Sequence, residues 1–286
     1  MKRKISGWKS SQLMGAVNYE INHYRDKNFT TVNMHSHDFY ELYFFIDGSA
    51  SYIIENGRYS LKSGDVLLIS PNNLHQLDIN NSNSVYERIV LWINPTYLKK
   101  LSTPSTDLSE AFQKCNENNS HLLRNSEISE QIYAILLQLS TLEQNCEYGK
   151  DIEEENLIKT LLLTIGRYLR KGSDKKRVYG IHPTIDKAIN FINENLTKPL
   201  SLELIADALY LNKYYLAHLF KQETNVSPHR YIIKKRLILS KQLIEKDFPV
   251  SEVYLKCGFS DYSHFFRAFK QEFDLTPKQY YSLIKA

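Results

Sequence analysis

The sequence predicts an α+β chain of two domains, an N-terminal antiparallel β-barrel with helices after it and a C-terminal domain made only of helices. Three observations predict this class. The chain has 286 residues, too many for one small core. Short apolar runs separated by turn residues fill the first hundred positions, and apolar residues at helical spacing fill the rest. A composition of 42% hydrophobic and 24% charged residues excludes disordered and low-complexity classes.

The barrel is predicted over residues 1–105 from runs with the pattern of β-hairpins. The runs are residues 42–46, 52–54, 66–69 and 89–93. Asp47-Gly48 follows the first run and Asn56-Gly57 follows the second, as in hairpin turns. Regularly spaced strands with no helical pattern between them indicate a small antiparallel barrel or sandwich.

Two amphipathic helices are predicted within residues 106–171. Their apolar positions recur at spacings of three and four: Ile128, Ile132, Ile135 and Leu139 in one, Ile158, Leu162, Ile165 and Leu169 in the other. These faces either pair with a second subunit or are buried within one chain. Residues 171–177 are polar, charged and aperiodic, which predicts a linker over residues 172–180. Residues 181–286 again have helical periodicity and form the last domain.

The cysteine content and the charge distribution indicate the cellular compartment of the protein and the class of its partners. Three cysteines, Cys115, Cys146 and Cys257, are far apart, which argues against a disulfide framework or a zinc finger and favours a reducing cytoplasm. No window resembles a membrane span or a signal peptide, so no membrane partner is expected. Residues 181–286 hold 15 Lys+Arg against 11 Asp+Glu, whereas the preceding residues are balanced. The excess indicates a polyanion partner for the C-terminal domain.

A duplicated unit stands out in the C-terminal domain. Residues 220–223 read Phe-Lys-Gln-Glu and precede a Ser-Pro pair, and residues 269–272 read the same and precede a Thr-Pro pair, 49 positions later. In each copy a helix ends, a turn follows, and a second helix begins at an N-cap, Asn212 in the first copy and Ser260 or Asp261 in the second. The sequence therefore predicts two helix-turn-helix units.

The second helix of each unit presents donors and aromatics without carboxylates. The predicted DNA-contacting residues are Lys213, Tyr214, Ala217, His218 and Lys221 in one copy, and Tyr262, Ser263, His264, Arg267 and Lys270 in the other. Arg and His can read base edges, and lysines can hold phosphates. One such stretch alone is usually a solvated basic face. Two copies joined by a rigid helix favour double-stranded DNA, read at points roughly 34 Å apart.

At this point a family resemblance is evident. The stretch from Leu202 to Tyr281, with Cys257-Gly258-Phe259-Ser260 and Thr276-Pro277, resembles the DNA-binding domain of the AraC/XylS family of bacterial transcription regulators. The resemblance implies a transcription activator that contacts promoter DNA and RNA polymerase.

The chain departs from the family pattern at four positions. Tyr210 stands where a small residue or glycine is usual, and Tyr254 stands where alanine is usual. Asn225 and Asp274 replace frequent glycines, but both residue types tolerate left-handed backbone angles.

A second constellation lies in the N-terminal domain. On one strand, His35, His37 and Glu41 would point to the same face, and His75 follows downstream. These residue types suit Zn, Mn, Fe or Ni, and the segment resembles the two motifs of the cupin barrel. In AraC-type regulators a similar barrel usually serves as a sensor. Three interpretations stay open: a metal site of these four residues, an effector pocket without metal, or structural histidines.

Our prediction is the pocket, with no metal and no other cofactor. It is lined by His35, His37, Glu41, Tyr43 and His75. Aromatic side chains of the same strand parity, Phe39 and Phe45 among them, suit a polyhydroxylated ligand such as a carbohydrate, because aromatic faces stack on sugar C–H surfaces. The alternative is that these aromatic residues only fill the core.

The sequence thus predicts a cytoplasmic, homodimeric, effector-controlled transcription regulator and no enzyme. The rival is a cupin enzyme, a metal-dependent oxygenase or isomerase with a helical appendage. This alternative explains the histidines as metal ligands but leaves the 49-residue duplication unexplained. No P-loop, zinc-protease, nucleophile-elbow or dinucleotide-binding motif supports other catalysis.

Overall fold

The computed structural model describes residues 14–81, 84–143, 148–172 and 181–285. Residues 14–32 and 36–172 fall in one compact unit, and residues 181–285 fall in a second. The predicted linker over residues 172–180 lies outside the described residues apart from Gly172. Within the described ranges, each helix is too short or too polar to cross a bilayer.

The N-terminal unit is built on two antiparallel sheets. The strands are β1 (Tyr19–Asp26), β2 (Val32–His35), β3 (Tyr40–Asp47), β4 (Ala50–Ile54), β5 (Gly57–Ser60), β6 (Val66–Ile69), β7 (His75–Ile79), β8 (Tyr86–Ile93) and β9 (Leu122–Leu123). One sheet has the order β1-β8-β3-β6-β9 and the other has the order β2-β7-β4-β5. The four predicted strands correspond to β3, β4, β6 and β8.

The sheets do not close into the predicted barrel. In the part of the chain that the structure describes, no ladder joins the five-stranded sheet to the four-stranded one. The chain passes from one to the other between β2 and β3, over residues 36–39. The antiparallel β fold is confirmed, and its closure is corrected to a pair of packed sheets.

Strand β3 buries side chains on both faces, which explains its continuous apolar run. Leu42 and Phe44 face a core shared with the following helices. Tyr43 and Phe45 belong to a second core that includes residues of both sheets. Alternation along the strand therefore places Glu41 on the same side as Tyr43 and Phe45.

Among the described residues of this unit, four helices follow the strands or lie between them: α1 (Pro95–Leu101), α2 (Glu110–Glu117), α3 (Ser126–Glu143) and α4 (Lys150–Arg170). The two predicted amphipathic helices are α3 and α4. Ile132, Leu139, Ile158 and Ile165 are fully buried in the core against the five-stranded sheet. The apolar stripes of α3 and α4 are thus buried within the chain.

The C-terminal unit is all-helical, as predicted. Its helices are α5 (Pro183–Glu194), α6 (Leu202–Ala208), α7 (Lys213–Thr224), α8 (Pro228–Glu245), α9 (Val250–Lys256), α10 (Tyr262–Phe273) and α11 (Pro277–Lys285). The sequence duplication is a structural repeat. Helices α6 and α9 each have 7 residues, and α7 and α10 each have 12.

Both helix-turn-helix turns close in the same way. The amide of Leu211 donates to the carbonyl oxygen of Ala206 at 2.9 Å, and the amide of Phe259 donates to that of Tyr254 at 2.9 Å. This closure needs a left-handed residue just before the donor. Gly258 fills that position in the second turn with φ of 87°, and Tyr210 fills it in the first with φ of 56°. The unusual Tyr210 therefore occupies a backbone position that glycine prefers.

Candidate DNA-binding helices and effector site

Helix α7 is fixed by its cap and by one buried stripe. The Asn212 side chain accepts hydrogen bonds from the amides of Tyr214 and Tyr215 at 2.9 and 3.3 Å. Leu216 and Phe220 are fully buried. Because residues three and four apart share a helix face, the opposite face of α7 is left outward.

The predicted contact residues of α7 lie on that outward face. Tyr214, His218 and Lys221 are exposed, whereas Lys213 and Ala217 are half-buried. The ammonium of Lys213 also pairs with Glu203 of α6 at 2.8 Å.

Helix α10 repeats this arrangement. Asp261, one of the two predicted caps, accepts a hydrogen bond from the amide of His264 at 2.6 Å, and Phe265 and Phe269 form the buried stripe. The outward residues are Tyr262, Ser263, Arg267 and Lys270, with His264 half-buried. Asn225 and Asp274 end the two helices with φ of 58° and 56°, so both take the left-handed conformation expected of them.

The two helices match position by position. When the sequences of α7 and α10 are aligned at an offset of 49 residues, His218 corresponds to Arg267 and Lys221 corresponds to Lys270. All four side chains are exposed. The same shift pairs His264 with Tyr215, which is 51% exposed on α7. Our sequence analysis did not include Tyr215 among the contact residues, although the 49-residue offset applied to His264 identifies it.

Helix α8 connects the two helix-turn-helix units within the C-terminal unit. Several of its basic side chains make contacts inside this unit. Lys234 is buried and forms an ion pair with Glu272 of α10. Arg236 donates hydrogen bonds to the carbonyl oxygens of Leu196 and Lys198 at 2.9 and 2.7 Å. These contacts tie the connecting helix to the segment before α6 and to α10. They support the predicted role of α8 as a rigid spacer.

In the N-terminal unit, His37, Glu41 and His75 come together. Nε2 of His37 lies 3.1 Å from Oε2 of Glu41. The ring centroids of His37 and His75 are 4.8 Å apart. All three residues are buried. Two neighbours absent from our prediction also contact Glu41: Trp92 Nε1 donates at 2.9 Å and the Tyr52 hydroxyl donates at 3.4 Å.

The expected single strand through these residues is wrong. His35 ends β2, His37 lies in the crossing between the sheets, and Glu41 belongs to β3. His37 nevertheless reaches Glu41 because the crossing is only four residues long, whereas His35 is not a member of the cluster. His75 comes from β7 of the other sheet.

Tyrosine hydroxyls line the side of the cluster between the sheets. Tyr43 bonds to the hydroxyl of Tyr86, and Tyr52 reaches Glu41. Burial raises the pKa of Tyr43 and of Tyr52 well above the usual value for tyrosine. Both hydroxyls therefore stay protonated, and that of Tyr52 is a neutral hydrogen-bond donor to Glu41.

Two described cavities lie away from this cluster. The larger, about 540 Å³, is lined by residues that include Tyr40, Lys99, Asp107 and Ser109. The smaller, about 340 Å³, is lined by residues that include Tyr97, Lys100 and Glu155. The buried His and Glu residues pack against aromatic side chains and line neither cavity.

Comparison with known proteins agrees with both halves of this description. A model of the AraC-like ligand binding domain matches residues 16–162, and a helix-turn-helix domain model matches residues 205–282. The chain is similar to the HTH-type transcriptional activator RhaS of Enterobacter sp. (strain 638), with 24% identity over 246 residues and 86% of each chain covered.

Two solved structures are also similar. ToxT from Vibrio cholerae shares 16% identity with a TM-score of 0.38, over 94% of this chain and 100% of its own. The C-terminal domain of AraT, a response regulator from Geobacillus stearothermophilus, shares 26% identity with a TM-score of 0.35, over 36% of this chain and 87% of its own. Since the ligand-binding model alone covers more than half of the sequence, the chain belongs to the AraC family of DNA-binding transcription regulators.

Proposed function

We propose that this regulator reads its promoter with α7 and α10, placed in two successive major-groove segments on one side of the duplex. The observation that carries the proposal is the match of exposed residues: His218 with Arg267 and Lys221 with Lys270. Arg and His suit base edges, and Lys suits phosphates. The bonds that α8 makes through Arg236 and Lys234 support a fixed spacing between the two helices.

The proposed outcome of DNA binding is activation of transcription by contact with RNA polymerase. The activator RhaS, to which the chain is similar over most of its length, supports this direction. The rival enzymatic role has less support, because it leaves the 49-residue duplication of the C-terminal unit unexplained. The regulator acts in the cytoplasm.

The proposed dimer contact uses the exposed apolar residues of α3 and α4. Leu137 and Ile152 are 37% and 64% exposed, whereas the main stripes of these helices are buried. Sedimentation of the full chain that showed only monomer at high concentration would contradict this part of the proposal.

The proposed effector site is the set of polar residues that the sequence predicts for the N-terminal unit. It comprises His35, His37, Glu41, Tyr43 and His75, and carbohydrate is the proposed ligand class. Imidazole, carboxylate and tyrosine hydroxyl groups supply both donors and acceptors for sugar hydroxyls, and Trp92 and Phe39 provide aromatic faces beside them.

Calorimetry on a panel of mono- and disaccharides tests the effector site. We expect heat of binding for at least one sugar and its loss in His37→Ala, because the imidazole bonds to Glu41 in the middle of the site. An absence of heat across the panel, together with normal inducibility of His37→Ala in a reporter assay, would remove carbohydrate as the effector.

A further inference from the structure

Tyr210 lies in the turn of the first helix-turn-helix unit, between α6 and α7, in a backbone conformation that does not suit a tyrosine. Its φ is 56°, in the left-handed region, where the Cβ of an ordinary residue crowds the backbone. The side chain is 96% exposed, so packing within the chain offsets little of this strain. A strained residue whose side chain the fold does not use indicates a role outside the fold.

The second unit shows that the turn itself needs no side chain at this position. Gly258 takes the corresponding place there, and both turns close with the same amide-to-carbonyl hydrogen bond at 2.9 Å. Glycine adopts a positive φ without steric cost. The geometry of the turn therefore does not explain the tyrosine, and its ring and hydroxyl group are the features that need an explanation.

Tyr210 adjoins the exposed residues at the start of α7. It stands two residues before Asn212, whose side chain caps the helix. Tyr214, in the first turn of α7, is 74% exposed, and the ammonium of Lys213 lies 5.4 Å from the centre of its ring. Tyr210 is thus continuous along the chain with the residues that we assign to DNA contact.

The docking geometry of a helix-turn-helix unit defines what this turn meets. The second helix of such a unit lies in the major groove, and the first helix crosses the phosphate backbone. The turn that joins them therefore lies at the edge of the groove, beside phosphates and sugars. Tyrosine hydroxyls are among the side-chain groups that donate hydrogen bonds to phosphate oxygens.

We propose that the hydroxyl group of Tyr210 donates a hydrogen bond to a phosphate oxygen of the DNA backbone, beside the groove segment that α7 reads. The inference rests on the proposed function, in which α7 lies in the major groove. A phosphate contact positions the unit on the duplex and carries no sequence information. Because Gly258 has no side chain, the contact belongs to the first unit alone, and it holds that unit more firmly on the backbone.

Gel-shift titration of the full chain carrying Tyr210→Phe tests the proposal, because this substitution removes only the hydroxyl group. We expect DNA binding to weaken roughly 10-fold, and by the same factor on the operator, on single-base variants and on random duplex. Tyrosine is neutral and displaces no counterion, so the slope of log affinity against log salt should stay as in the wild type. Loss of a lysine–phosphate contact would reduce that slope.

Tyr210→Gly separates DNA binding from folding. It removes the strain together with the side chain, so the urea midpoint of the helical transition should rise or stay the same. DNA affinity should nevertheless fall at least as far as in Tyr210→Phe. Asn225→Gly is the matched control, because Asn225 also has a left-handed φ, of 58°, but lies at the far end of α7. This control should bind every duplex as the wild type does.

Three results would overturn the proposal while leaving the proposed function intact. Wild-type affinity of Tyr210→Phe would show that the hydroxyl group makes no contact with DNA. A loss confined to the operator would assign the side chain to a base and not to a phosphate. Unchanged DNA binding with lost activation of a reporter gene would assign it to a protein partner. A wild-type chain that bound no duplex would instead contradict the proposed function, and this inference with it.

Discussion

Gly258→Ala is expected to lower the free energy of unfolding of the C-terminal unit by about 2–4 kcal/mol. Gly258 has φ of 87°, where a Cβ is strained. That Cβ would also lie 2.8 Å from the carbonyl oxygen of Leu196 and 3.0 Å from the Arg236 guanidinium. The substitution therefore strains the second turn and disturbs the bond between Arg236 and the segment before α6.

Urea unfolding of the full chain measures this effect. Trp92 lies in β8, so tryptophan fluorescence measured in a Trp8→Phe background reports the N-terminal unit, and far-UV circular dichroism adds the C-terminal helices. We expect the helical transition to shift to lower urea while the fluorescence transition stays in place.

Gly166→Ala is the control, because an added Cβ at this position, near the C-terminal end of α4, meets nothing within 4 Å. It should stabilise the N-terminal unit by roughly 0.5–1 kcal/mol. A loss of less than roughly 0.5 kcal/mol in Gly258→Ala would show that the turn tolerates a side chain and would contradict the structure of this turn.

Arg267→Ala is expected to cost about 1–3 kcal/mol of binding free energy at one base pair of the operator and to relax the preference there. Arg267 is exposed on the outward face of α10, and its Nε donates to the carbonyl oxygen of Ser263 at 3.3 Å. This position leaves the terminal nitrogens of the guanidinium free to meet a base edge.

Lys270→Ala, one turn further along the same face, is the matched comparison. Its ammonium is expected on a phosphate, so its loss should weaken all duplexes alike and reduce the slope of log affinity against log salt by about one. Gel-shift titrations on the operator, on single-base variants and on random duplex separate the two effects. If both variants lost the same affinity on every duplex, the assignment of Arg267 to a base would be wrong.

Local patterns were enough to predict much of this molecule. Apolar runs followed by Asp-Gly or Asn-Gly identified β3 and β4, and three- and four-residue spacing identified α3 and α4. The duplication identified both helix-turn-helix units, because a repeat compares the chain with itself and needs no knowledge of long-range contacts.

The features that escaped prediction depend on residues far apart in sequence. Strand β1 pairs with β8, with Tyr19 opposite Ile93, and no local signal reveals that partner. The two-sheet arrangement follows from the crossing before β3, where strand parity predicted one continuous strand. Lys234 is buried and forms an ion pair with Glu272, which is 38 residues away in the sequence, and no local pattern reveals this partner.

Hydroxyl-radical footprinting of the protein on its promoter tests the central claim most directly. The claim is that α7 and α10 lie in neighbouring major-groove segments. It predicts two protected regions centred about 10 base pairs apart on one face of the duplex. Arg267→Ala should lose protection in one region and His218→Ala in the other. A single protected region, or two regions on opposite faces of the duplex, would contradict the account.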